Sequence, residues 1–242
     1  MAIAFAKKGA NVIINYHSSD IEAEIVKEVI ESYNVKCLTI KADISKSNEV
    51  KNMVKTIIDE FGRIDILVNN AGFGLVGNFE DLELDRELDM IDTNIRALHI
   101  LTKLYLKDML KKNKGKILNV ASIAGFLPGP LMSTYYATKN YVVTFSESIR
   151  EELRRKKSSV KISILCPGPV DTNFDRVANV DFSLNSLSSD YVADYAIDKL
   201  MKNKFYIIPG IKIKLLRVCS KFLPNCILSR FVYLSQKRKK SV

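Results

Sequence analysis

Short apolar runs recur along this chain, each followed by a stretch with helical periodicity, and that alternation limits the folds open to it. The runs are A-N-V-I-I-N (residues 10–15), V-K-C-L-T-I-K (35–41), I-D-I-L-V-N (64–69), K-I-L-N-V (116–120), V-K-I-S-I-L-C (160–166) and F-Y-I-I (205–208). Helical patterns occupy 20–32, 48–61, 84–112, 135–157 and 190–201. Strands that are apolar on both faces need cover on both faces, which a parallel sheet between two layers of helices supplies. The expected architecture is therefore α/β, a Rossmann-type doubly wound parallel sheet over residues 1–210, followed by a basic amphipathic extension at 211–242. In such sheets ligands bind outside the carboxyl ends of the strands.

Charge and cysteine usage narrow the class. Of the 37 Lys and Arg, twelve lie between Lys199 and Lys240, where no acid follows Asp198; the first 198 residues keep 25 basic against 27 acidic. A nucleic-acid-binding body is excluded by that balance. Four cysteines without C-x-x-C spacing and only two histidines, His17 and His99, argue against a metal site and against a disulfide framework. A reducing, cytoplasmic setting is the expectation. No run of 18 apolar residues occurs, and the N-terminus lacks the layout of a signal peptide.

One stretch carries chemistry. Ser122 follows the apolar run at 116–120; Tyr135 comes thirteen positions later, across a Gly/Pro loop, and Lys139 four beyond it. Residues i and i+4 share a helix face, so the phenol and the ammonium can converge. An ammonium beside a phenol favours the phenolate and is expected to lower its pKa. A hydroxyl across the gap could hold a carbonyl oxygen against that phenol, which is equipment for moving a proton to or from a carbonyl or alcohol oxygen. Alone, a Y-x-x-x-K pair is more often packing than catalysis. Its neighbours change the weighting: Asp43-Ile44, Asn69-Asn70-Ala71-Gly72, Ser122 and P-G-P-V-D-T (167–172) each follow a different strand and meet at one edge.

With N-N-A-G at 69–72, Ser122, Y-x-x-x-K at 135–139 and P-G-P-V-D-T at 167–172, residues 1 to about 210 resemble the short-chain dehydrogenase/reductase family. The wording N-N-A-G-F-G, I-L-N-V-A-S-I-A-G-F and Y-Y-A-T-K is most similar to the bacterial DltE-like group, and G-A-N-V-I-I-N-Y is similar to 3-oxoacyl-acyl-carrier-protein reductases. The resemblance implies a nicotinamide cofactor and a small carbonyl or alcohol substrate. It casts Tyr135 as general acid/base, Lys139 as the residue that tunes it and holds the nicotinamide ribose, and Ser122 as the carbonyl-orienting hydroxyl. Asn94, 28 positions before Ser122, takes the place of an asparagine that holds a relay water. Asn70, Ala71 and Gly72 are implied to pack against the cofactor, Asp43 and its neighbour Ile44 to meet the adenine end, and Pro167, Gly168, Val170 and Thr172 the nicotinamide end. Each also has a structural reading as turn, cap or helix acid. Homo-oligomers through the helices at about 84–112 and 135–157 are implied as well.

Two departures follow. The family opens with a strand and a T-G-x-x-x-G-x-G turn whose N–H groups take the pyrophosphate. Here Met1 already lies in the helix that follows, so the expected sheet lacks its first strand, between those at 10–15 and 64–69. The expectation is a misplaced start or a truncated chain, with a working protein about 20–25 residues longer, and poor cofactor binding by the chain as it stands. An alternative follows from that: a catalytically impaired Rossmann-type binding module or membrane-associated scaffold. Secondly, the position where an acid would hold a ribose 2′-OH is Tyr16, followed by His17, Ser18 and Ser19. With no acid there, NADP(H) is preferred and NAD(H) remains open. An extended-family epimerase or dehydratase is disfavoured, because the chain has no room for a larger C-terminal substrate domain.

Apolar residues Phe174, Val177, Val180, Phe182, Leu184 and Leu187 suggest a lid over a lipophilic or acyl-bearing substrate, or simple packing of that loop. From Ile211 onward, apolar residues recur at helical spacing with cations between them and no acids. That pattern reads as a peripheral membrane contact through 211–240, at the inner face of a membrane, or as a C-terminal helix covering the pocket or a dimer contact.

Overall fold

The computed structural model describes residues 1–172 and 186–239. Helix α1 (Ala2–Ala6) leads through a turn at Gly9 to β1 (Val12–Tyr16), α2 (Asp20–Glu31) and β2 (Cys37–Lys41). Helix α3 (Ser47–Phe61) ends on Gly62, whose φ of 70° supplies the left-handed stop that a side chain would resist. Then come β3 (Ile66–Asn69), α4 (Leu84–Ile91), α5 (Leu98–Lys111), β4 (Lys116–Val120), α6 (Ser133–Arg155) and β5 (Lys161–Leu165). A short parallel pair, β6 (Val170–Asp171) and β7 (Leu187–Ser188), precedes α7 (Ser189–Met201) and β8 (Tyr206–Ile207); α8 (Ile211–Ser220) and α9 (Asn225–Lys239) close the chain.

The strands are parallel and, apart from the short β6–β7 pair, fall into two sheets. β3, β4, β5 and β8 are joined in that order, with Leu67 opposite Ile117 and Ile117 opposite Ile162. Side chains alternate across this sheet. Ile117, Ile162 and Ile164 meet Leu98, Met109, Val142 and Ile149 of α5 and α6, whereas Leu118 and Leu165 meet Val192, Ala196 and Leu200 of α7. Each such buried aliphatic side chain contributes about 1.5–3 kcal/mol. The double cover expected from the apolar runs is present, in the Rossmann-type arrangement.

β1 and β2 stand apart as a two-stranded sheet, Val12 opposite Cys37. Among the described residues, β1 has no partner on its second edge, and neither has β3. Residues 9–15 and 63–71 line one cavity of about 1000 Å³, together with Met53 and Tyr105. The gap expected between the strands at 10–15 and 64–69 is thus present as a slot.

The continuous helix anticipated over 84–112 is interrupted. Residues 92–97 form a π-helical turn between α4 and α5, and Asn94 lies within it. An inserted residue of this kind re-aims a side chain and often marks a functional site. Sequence periodicity does not register it, because a single widened turn barely shifts the apolar stripe.

Candidate active site

Ser122 stands two residues past β4 and caps a 3₁₀ turn (Ile123–Phe126), its hydroxyl accepting from the Ala124 N–H at 3.2 Å. Tyr135 is in the first turn of α6, buried, and hydrogen-bonded with Ser122. Lys139 follows one turn on, only 5% exposed, with its ammonium 5.8 Å from the centre of the Tyr135 ring. It donates to the Val120 carbonyl at 3.0 Å. The three residues that the sequence singles out therefore converge at the carboxyl end of β4.

Their electrostatics differ from the sequence expectation. Burial pushes the Tyr135 phenol well above its ordinary value; the hydrogen bond with Ser122 pulls it part of the way back, and Tyr136 pushes it up again. Burial also draws the Lys139 ammonium down to about 8. Instead of holding the phenol low, the lysine lies over the ring and faces a backbone carbonyl. Desolvation dominates both groups and favours the neutral form of each. A neutral phenol beside a serine hydroxyl is set to donate a proton to an oxygen placed between them.

Asn94 is 1% exposed and fully engaged. Its Nδ2 donates to the Phe73 carbonyl at 2.9 Å and to Thr138 Oγ1 at 3.0 Å, and its Oδ1 accepts from the Phe73 N–H at 3.1 Å. It thereby ties the turn after β3 to α6. At Gly72 a Cβ would stand 2.7 Å from Asn94 Oδ1 and 3.2 Å from Lys139 Nζ. Glycine there lets the backbone lie against both.

Beneath this site runs a buried polar chain that sequence reasoning missed. Asn69 Nδ2 donates to Thr102 Oγ1 at 3.0 Å and Asn119 Oδ1 at 2.8 Å; Asn119 Nδ2 donates to Ser146 Oγ at 2.9 Å. The chain fastens β3, β4, α5 and α6 to one another directly below the turns that carry the chemistry. Its signal was the asparagine that ends the run at 64–69 and the one inside the run at 116–120. Gly129 was missed as well: it packs flat on the Tyr136 ring, where a Cβ would come within 2.0 Å of Cγ. Leu131, at φ 66°, then turns the chain into α6 in a left-handed conformation that a branched residue resists.

The candidate cofactor residues line the same edge in looser order. Asn70, Ala71 and Gly72 are exposed beyond β3. Asp43 follows β2 in a turn in which its carboxylate accepts from the Ser45 N–H at 2.9 Å and Ser45 Oγ at 2.7 Å. Burial raises its pKa, but Ser45, His17 and Lys46 outweigh that and keep it low. Ile44 packs under α3 and α5. Pro167 accepts from the Ile123 N–H at 2.9 Å, Gly168 lies against Ile213, and Val170 pairs with Leu187 in the β6–β7 strand pair. Thr172 Oγ1 is 3.4 Å from the Val170 carbonyl. Tyr16, at the end of β1, was read as a position with no acid nearby. The structure corrects this: the Asp20 carboxylate hydrogen-bonds the Tyr16 hydroxyl, and Lys41 at 2.9 Å neutralises it. A helix N-terminus four residues downstream folds back onto the strand end, which linear spacing did not convey. Most of the apolar lid at 173–189 lies outside the described residues, and its Leu187 is in β7.

The residues present fit a nicotinamide cofactor at two places. Gly72 leaves a cradle that a Cβ would fill, with Lys139 beside it, and Asp43 offers an ionised carboxylate at the far strand end. Among the described residues, no strand lies in the slot between β1 and β3.

Fold and site together define a parallel α/β protein with a buried serine–tyrosine–lysine set at its strand ends. The chain belongs to the short chain dehydrogenase family, which it matches over residues 1–181. It is 31% identical over 208 residues to a 3-oxoacyl-acyl-carrier-protein reductase of Staphylococcus epidermidis, covering 85% of this chain and 79% of that one. A 3-oxoacyl-acyl-carrier-protein reductase of Synechocystis is 31% identical over 180 residues, 74% and 72% of the two chains. Solved structures share the fold. A short-chain dehydrogenase/reductase of Burkholderia phymatum in complex with NAD gives a TM-score of 0.80 at 22% identity, over 88% of this chain and 86% of that one. A short-chain dehydrogenase of Sphingobium yanoikuyae in complex with NADPH also gives 0.80 at 22% identity, over 91% and 88%.

Proposed function

We propose that this protein is an NAD(P)-dependent oxidoreductase that interconverts a carbonyl and an alcohol, with Tyr135 as general acid/base. The observation that carries this reading is the buried Tyr135–Ser122 hydrogen bond at the end of β4, with Lys139 one turn away. The nicotinamide supplies hydride chemistry when bound. Ser122 holds the substrate oxygen, and Tyr135 donates a proton to it on reduction. Lys139, with a pKa near working pH, returns a proton toward Tyr135. Asn94 fixes the turn after β3 and positions a relay toward Lys139. On the cofactor side, Asn70, Ala71 and Gly72 back the ring end, Pro167, Gly168, Val170 and Thr172 flank it, and Asp43 with Ile44 takes the adenine end. The NADP(H) preference rests on His17 and on Lys41, which would have to leave Asp20 to meet a 2′-phosphate, and NAD(H) stays open.

The names of the relatives support a 3-oxoacyl-type substrate, in line with the apolar residues that the sequence carries between 174 and 187; the likeness to the DltE-like group stays one of wording. We place the protein in the cytoplasm, as a homo-oligomer through α4, α5 and α6, where Leu84 and Leu88 are exposed, and at a membrane surface through 211–240. Tyr135→Phe tests the assignment. It is expected to lower the rate of NADPH-dependent ketone reduction about 10²–10⁴-fold with an unchanged circular dichroism spectrum. Activity within a few-fold of the native chain would overturn it.

The slot between β1 and β3 favours a second reading, a nucleotide-binding or membrane-associated scaffold without turnover. Calorimetry with NADPH separates the two: binding without any product in a sensitive reduction assay supports the scaffold.

A further inference from the structure

Helices α8 and α9 differ on their two sides. On α8 and the turn after it, Ile211, Leu215, Val218 and Phe222 follow one another at i, i+4, i+7 and i+11, a single stripe, and all are exposed, Phe222 by 81%. On α9, Ile227, Phe231 and Leu234 repeat the pattern and are exposed as well. Lys212 lies on one flank of the α8 stripe, Lys214 and Lys221 on the other, and Arg230 beside that of α9; all four are exposed. No acidic residue occurs anywhere after Asp198.

The opposite sides of these helices touch the catalytic segments. Arg217 stacks 3.5 Å over the Tyr206 ring and 4.8 Å from Phe126, which ends the turn begun by Ser122. Ile213 packs on Gly168. From α9, the buried Gln236 donates to the Tyr136 hydroxyl at 2.9 Å, next to Tyr135.

We propose that α8 and α9 form a docking surface for an anionic lipid bilayer, built onto the wall of the catalytic cleft, so that a lipophilic substrate reaches Tyr135 from the membrane side. An apolar stripe flanked by long cations suits the boundary between acyl chains and headgroups: the stripe enters and the ammonium groups reach back to phosphates. No described helix is long and apolar enough to cross a membrane, so the pair lies on the surface. A second copy of the chain fits less well. A symmetric contact through these stripes would bring one cationic rim against another with no acid to compensate. A nucleic acid would leave the exposed Phe222, Leu215 and Val218 in water. The docking stands without the oxidoreductase reading; the delivery of substrate rests on it.

The chain contains no tryptophan, which allows a direct test. In the full chain, Phe222→Trp emission is expected to shift to the blue with phosphatidylglycerol vesicles and not with phosphatidylcholine vesicles, while Phe79→Trp, outside the tail, does not shift. Added salt is expected to weaken the effect, and Lys212→Gln/Lys214→Gln/Lys221→Gln to lower vesicle affinity about 100-fold. The same shift in a Tyr135→Phe background keeps docking separate from catalysis. With docking established, vesicles are expected to raise the rate on a long-chain ketone more than on a short one; equal rates would remove the delivery step. No blue shift on anionic vesicles would overturn the docking. So would a shift that follows protein concentration alone with dimers in light scattering, or tight binding to duplex DNA without vesicle binding.

Discussion

The sheet of β3, β4, β5 and β8 and the pair β1–β2 meet at one slot but are built differently. On the first side, two strands and two helices are laced by Asn69, Thr102, Asn119 and Ser146, and that lacing lies under Ser122, Tyr135 and Lys139. On the second side, the candidate cofactor residues Tyr16 and Asp43 are held by local turns and exposed pairs, Asp43 with Ser45 and Asp20 with Lys41. Proton transfer demands placement within fractions of an ångström, and buried hydrogen bonds in a packed interior give it. Gripping a dinucleotide tolerates looser parts, because many contacts share the task. The proposed proton-transfer set thus sits on the continuous sheet, whereas Asp43 and Tyr16 stand on the separate strand pair across the slot.

The contrast can be broken from either side. The largest effect is expected at the junction: Gly72→Val drives a Cβ into Asn94 and Lys139, and activity should fall by about 100-fold or more while the circular dichroism spectrum is retained. Asn119→Ala removes the middle of the buried chain and takes one hydrogen bond each from Asn69 Nδ2 and Ser146 Oγ, each loss worth about 1–3 kcal/mol. Urea unfolding should show that loss, and hydrogen exchange should show it in β3–β5 before β1–β2. Equal loss on both sides would contradict the contrast.

Lys139 sharpens it through pH. Its pKa is lowered from 10.5 to about 8 by burial, so between those values the unfolded chain holds a proton that the folded chain has released. Stability from this group therefore rises with pH across that window, on the order of 2 kcal/mol, and is absent below it. Relative to Lys139→Met, the native chain should gain urea midpoint between about pH 8 and about pH 10. The smallest effect is expected at the open side. Lys41→Ala unpairs an exposed ion pair worth at most about 1 kcal/mol, and should raise the KM for NADPH less than about tenfold with no change for NADH.

Much of the molecule was legible in its sequence, for physical reasons. Apolar runs such as K-I-L-N-V fixed the strands because a doubly covered strand tolerates little else, and Ser122, Tyr135 and Lys139 were legible because helical spacing and strand ends determine where they point. The π-helical turn at 92–97 was not, since it inserts a residue without disturbing composition. Nor was the state of the Tyr135 phenol: pairing it with Lys139 suggested a lowered pKa, whereas burial, which only the packed structure reveals, raises it. The fold-back of Asp20 onto Tyr16 escaped for a similar reason, being a contact between elements.

In the proposed reaction, Tyr135 and its neighbours protonate a carbonyl oxygen while a nicotinamide hydride reaches the carbon. Mass spectrometry of the alcohol formed from a short 3-oxoacyl thioester and 4,4-dideuterated NADPH tests it at low turnover. One deuterium at the carbinol carbon is expected with the native chain, and almost none of that product with Tyr135→Phe. An undeuterated alcohol, no alcohol from the native chain, or the same yield from both proteins would contradict it.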